Sequence, residues 1–86
     1  MPARRLLLIA LRLLGSRASY PALTELVGSS AKRVRALVLE AERRGEVVRT
    51  TIGQRVELTL TPGAVAEVDN ALRAAKAANT RIAANV

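Results

Sequence analysis

The sequence has no cysteine, histidine, tryptophan or phenylalanine, and a single tyrosine. Without cysteine there can be no disulfide, thiolate zinc site or cysteine nucleophile; without histidine the commonest metal ligand and general base is missing too. No phosphate-binding glycine loop or metal-ligand spacing is present, and the seven carboxylates are scattered over charged helical segments. The chain therefore reads as a non-enzyme, with no catalytic residue, metal or cofactor. The lone aromatic, Tyr20, argues against single-stranded nucleic acid, whose bases stack on aromatic platforms. Tyr20 itself reads as a core residue at a turn. Long apolar runs are also lacking. The longest stretch, Leu6 to Leu14, is broken by Arg12 and is too short to span a bilayer. Arg4 and Arg5 ahead of it imitate a signal peptide, but Arg12 spoils the imitation, so the segment reads as a helix of a mature, cytoplasmic fold with no membrane partner.

Basic charge is plentiful. Over 86 residues, fourteen Lys and Arg oppose seven Asp and Glu, a formal charge of +7 that points to a polyanionic partner. Up to Leu60 there are eleven basic and five acidic residues, and from Thr61 onward three and two, so the charge is concentrated in the first two thirds. The length suits one small domain, 1–86, whose core is only just large enough to fold unaided.

Helical periodicity runs from Arg4 to Leu14 and stops at Gly15. Leu6, Ile9, Ala10 and Leu13 fit one face, while Leu7, Leu8, Leu11 and Leu14 spill onto others and call for a second packing partner. "SYPALTELVG" predicts a short second helix, with Pro21 in its first turn and Gly28 at its end. Ser29 or Ser30 can cap a third helix reaching about Arg44, with Val34, Leu37, Val38 and Ala41 as its buried stripe. Beyond Gly45 the period changes to two. "EVVRT" and "RVELTL" read as strands joined through Gly53, with Val56, Leu58 and Leu60 facing one way. Thr61 and Pro62 are a strong helix start, predicting a fourth helix from Pro62 to about Ala78. Within 62–86, Val65, Val68, Leu72, Ala75, Asn79 and Ile82 step alternately by three and four, the spacing of a coiled-coil seam. The segment can serve as a homodimer seam or as an amphipathic helix packed on its own domain.

The predicted fold is thus mainly α with a small β-hairpin, in the order helix-helix-helix-strand-strand-helix of a winged helix-turn-helix. "ALTELVGSSAKRVRALVLEAERRGEVVR" followed by "VELTLTPGA" resembles the DNA-binding domain of MarR-like transcriptional regulators, in a minimal form similar to small archaeal and viral winged-helix proteins. The resemblance is carried by Leu23, Gly28 and Ser30 before the third helix, by Glu42, Arg44, Gly45 and Val47 leading into the hairpin, and by Leu60, Thr61 and Gly63 after it. It covers about residues 4–72, and the order of the motifs is its specific part. Family members carry further helices that build a ligand pocket; this sequence offers neither the length nor the aromatic lining, so no small-molecule effector is expected.

Taken as such a fold, the third helix, about 30–44, would enter the major groove of duplex DNA with its N-terminal turns toward the bases. Lys32 and Arg35 are expected to point outward and Arg33 toward the flank, while Ser29 and Ser30 place hydroxyls where a helix start favours phosphate. The resemblance implies that the wing, 49–56, adds Arg49, Gln54 and Arg55 on the backbone or in the minor groove. Arg43 and Arg44 read instead as surface charge paired with Glu40, Glu42 and Glu46. The function so predicted is a nucleoid-associated, homodimeric transcriptional regulator. The alternatives are a basic architectural chromatin protein with little sequence preference and a winged helix used as a protein-interaction module.

Overall fold

The elements appear in the expected order with one addition. The computed structural model describes residues 2–84, with side chains through Ala78. Its elements are α1 (Ala3–Leu13), β1 (Arg17–Ser19), α2 (Tyr20–Val27), α3 (Ala31–Arg43), β2 (Val47–Ile52), β3 (Arg55–Leu60) and α4 (Pro62–Ala84). This is a winged helix: three helices packed on a small sheet, whose β2–β3 hairpin forms the wing, followed by a long closing helix.

The addition is β1. The wing is not a lone ribbon but part of an antiparallel sheet of order β1-β3-β2, with Ala18 opposite Leu58 and Val47 opposite Leu60. β3 is therefore paired on both edges. Its Leu58 and Leu60 are buried and Val56 packs beside them, on the face the alternation predicts. At the wing tip Gly53 has a φ of 63° while Gln54 keeps a negative one, the pattern of a two-residue type II′ turn.

On α1 the buried side chains are Leu7, Leu8, Ala10 and Leu11, whereas Leu6 and Leu13 are 39% and 68% exposed. The face expected from Leu6, Ile9, Ala10 and Leu13 is thus turned by a fraction of a helical turn. A helix with leucines all round offers no periodic preference, and its partners choose the face. Arg4 reaches Glu67 of α4 at 3.2 Å and Arg12 reaches Asp69 at 2.9 Å, which fixes how α4 lies across α1.

Local chemistry sets the remaining boundaries. Ser19 caps α2 by accepting the Ala22 N–H, and Gly28, at φ 73°, ends it in the left-handed region. Of the two candidate serines, Ser30 is the cap of α3, accepting the Arg33 N–H at 3.2 Å. Thr61 accepts the Ala64 N–H and donates to the Gly45 carbonyl at 2.9 Å, so the start of α4 is tied to the end of α3.

The core joins Leu7 and Leu11 of α1, Leu23 of α2, Val34 and Val38 of α3, and Val47 and Leu58 of the sheet. Burying each of these side chains stabilises the fold by roughly 1.5–3 kcal/mol before entropy is counted. Ala64 and Val68 of α4 belong to the same core, with Val65 packed against it. Val68, one of the predicted seam positions, is therefore a core residue of its own chain, because α4 needs that side to dock on α1. From Leu72 to Ala78 the side chains of α4 are exposed. The helix continues past the expected end at Ala78; Asn79 and Ile82 lie outside the described side chains. No helix among the described residues is long and apolar enough to cross a membrane.

Candidate nucleic-acid interface

The surface of α3 follows from its buried stripe. With Val34, Val38 and Ala41 turned into the core, the opposite ridge is formed by Lys32, Ala36, Leu39 and Arg43, all exposed. Arg35 and Arg33 flank this ridge on either side, and both are exposed. Arg35 is not on the outermost line, as its spacing suggested. It leans toward α2, where its guanidinium stands over the Tyr20 ring at 5.7 Å from the centroid, within cation–π range. Tyr20 is half-buried against the core, so it both packs and supports Arg35.

The wing tip approaches the same region. Gln54 and Arg55 line a groove with Ser19, Tyr20, Pro21 and Arg35, about 460 Å³ in volume and open to solvent. One helix flank, the start of α2 and the hairpin turn are thereby brought together. Ser29 sits half-buried in the turn before α3, and Ser30 is occupied as the cap.

Arg49 is placed differently. Its guanidinium donates to both oxygens of Glu42, at 2.6 and 3.3 Å, so it clamps β2 to the last turns of α3. The hydrogen bonds to Glu42, followed by one with Tyr20, raise its pKa further above the ordinary arginine value. Arg44, read as ordinary surface charge, is half engaged in structure: it donates to the Glu46 carboxylate at 2.7 Å and lies 3.9 Å from Glu40. Glu46 is itself buried, and Arg4 donates to it from the other side.

These pairings divide the charges into two populations. Arg4, Arg12, Arg17, Arg44 and Arg49 each hold a carboxylate, and between them they engage every acidic residue except Glu25. Lys32, Arg33, Arg35, Arg43 and Arg55 have no ion-pair partner among the described residues. The arginines that hold carboxylates are compensated from within, while the helix ridge, its flanks and the wing tip are left positive; Arg5 of α1 and Arg73 of α4 likewise hold no ion pair among the described residues. Sequence reasoning passed over Ala36 and Leu39, and it paired Arg43 with Glu40, Glu42 and Glu46, whereas those carboxylates are held by Arg44, Arg49 and Arg4 and Arg43 has no ion-pair partner among the described residues. The spacing of 32, 36, 39 and 43 opposite the buried stripe was the signal that could have found them.

No protein-family model matches this sequence, and no curated protein matches it. Solved structures match the fold. MepR, a transcription regulator of the Staphylococcus aureus multidrug efflux pump MepA, aligns with all of this chain and 65% of its own at TM-score 0.87 and 14% identity. BpsR of Bordetella bronchiseptica, whose DNA binding is regulated by 6-hydroxynicotinic acid, aligns over 94% of this chain and 58% of its own, at TM-score 0.77 and 22% identity. A MarR family transcriptional regulator from Silicibacter pomeroyi aligns over 100% and 62%, at TM-score 0.79 and 20% identity. At these identities the likeness establishes the winged-helix fold, and this chain spans 58–65% of the length of those three proteins.

Proposed function

We propose that this protein is a duplex-DNA-binding transcriptional regulator that inserts α3 into the major groove and rests its wing on the adjoining backbone or minor groove. The observation that carries this reading is the division of charge. Every paired arginine lies off the α3 ridge, and the cations on the ridge, its flanks and the wing tip are uncompensated. Lys32 and Arg33 stand in the first turn of α3, where a helix in the groove meets base edges, and Ser30 caps that turn. Arg35, steadied on Tyr20, and Arg55 line the same groove, where one backbone strand would lie between helix and wing. The winged-helix regulators that share the fold support the reading. Two copies would bind two half-sites, and the exposed Leu6 and Leu13 of α1, Leu14 just after it and Leu72 of α4 are the apolar surface available for pairing.

The test is a titration against duplex selected from a random pool and against bulk duplex, at two salt concentrations. A selected site preferred by about a thousandfold is expected of a regulator. Salt-sensitive binding without preference would replace the proposal with an architectural coat, and no binding would point to a protein partner.

A further inference from the structure

The ridge of α3 that faces away from the core is mixed in character. Lys32 and Arg43 close its ends, and between them lie Ala36 and Leu39, both exposed, Leu39 with 40% of its surface in solvent. A lone exposed leucine is ordinary. This one sits on the crest of the helix that carries the uncompensated charge, between two free cations, next to another apolar side chain. The helix Ala31–Arg43 has no Asn, Gln, Ser or Thr. Its crest therefore offers no neutral hydrogen-bonding group between Lys32 and Arg43.

An apolar crest can tell bases apart by the methyl group that one of them carries. In the major groove adenine and guanine present N7 together with an amino group or carbonyl, and cytosine presents an amino donor; each would be left unpaired against Ala or Leu, at a cost in desolvation. Thymine also presents an acceptor, O4, but it alone adds a methyl group, which gives an apolar side chain a favourable contact. Residues 36 and 39 are about 4.5 Å apart along the helix axis, comparable with a base-pair step of about 3.4 Å, so both can meet methyl groups of neighbouring pairs.

Building on the reading of α3 as the groove helix, we propose that Ala36 and Leu39 are specificity-determining residues that recognise thymine 5-methyl groups at the centre of each half-site. Lys32 and Arg43 bracket that contact.

The experiment uses the full chain and duplexes it selects from a random pool, resynthesised with deoxyuridine in place of thymidine one position at a time, which removes only the methyl. At one or two positions per half-site affinity falls by about fourfold, the worth of one buried methyl. Leu39→Ala, at an exposed position, loses the uracil discrimination at its own position while that at the other position remains, and its circular dichroism spectrum, recorded alongside, checks that the fold is kept. Three results overturn the assignment: uracil tolerated at every position, selected sites without thymine, or uracil penalties that are unchanged at every position in Leu39→Ala. Binding to duplex with no preferred site also overturns it while leaving DNA as the partner. Failure to bind any duplex removes the underlying functional reading, and this inference with it.

Discussion

Glu46 fastens three parts of the chain to the start of the wing. Its carboxylate receives Arg4 from α1 and Arg44 from the end of α3, its N–H donates to the Ala41 carbonyl at 2.9 Å, and its own carbonyl accepts the Thr61 N–H at 3.0 Å ahead of α4. Burial pushes its carboxyl pKa up, but hydrogen bonds from Arg44 and Arg4 more than offset this, so the folded value lies below the ordinary one. A depressed carboxylate stabilises the fold above the unfolded pKa of about 4.3, and that contribution is lost as pH falls through the folded value. Glu46→Gln should cost about 2 kcal/mol in urea unfolding at pH 7, and its stability should fall less steeply than that of the parent below about pH 4.5. Parallel acid limbs would assign the pH dependence to Asp69, which Arg12 also holds below its usual range. Nothing local in "RRGEVVRT" marks Glu46 as buried. Its neighbours Arg44 and Glu42 suggest a solvated charge run, and the partner that justifies burial, Arg4, lies 42 positions away. Arg49 eluded the sequence for a similar reason: an exposed arginine in a strand reads as free until Glu42 of the preceding helix is seen across from it.

The elements with strong local punctuation were legible. Ser30 before α3, Thr61 and Pro62 before α4, and Gly53 between β2 and β3 fix their elements by capping and turn chemistry, and all stand where the sequence put them. β1 was not legible, because three residues carry no alternation and the strand exists only by pairing with β3 some forty positions later. The orientation of α1 was hidden by its excess of leucine. α4 falls between these cases, since its period of three and four is real but does not say which partner each turn serves. Its first turns pack on the core and its next ones do not. Val68→Ala should therefore destabilise the chain by about 2 kcal/mol in chemical unfolding, through lost burial and the cavity left behind. Leu72→Ala, at a position 37% exposed, should stay within about 0.5 kcal/mol for the monomer while weakening self-association in sedimentation. A dimer unaffected by Leu72→Ala would not rest on Leu72 as its contact.

For the molecule as a whole, the decisive property is where charge remains after internal pairing. Lys32, Arg33, Arg35, Arg43 and Arg55 are the uncompensated cations of α3 and the wing tip. If each displaces one counterion, log affinity for duplex should fall against log salt with a slope near −4.5 per bound chain, and about −9 for a dimer. Titration between 50 and 200 mM salt, values at which such slopes are commonly read, measures this, and a flat response would remove DNA as the partner. The candidate cations form a basic cluster in the sequence, but a cluster does not say which cations are already satisfied; only the three-dimensional pairing separates Arg49 from Arg55. That pairing also has a kinetic meaning. Carboxylates drawn onto the scaffold arginines leave a molecule whose charge is lopsided as well as large, so a polyanion's field exerts a torque on it before the surfaces meet. Collisions in the wrong orientation are turned rather than wasted, and the rate of productive encounter exceeds what a protein of the same net charge, evenly spread, would achieve.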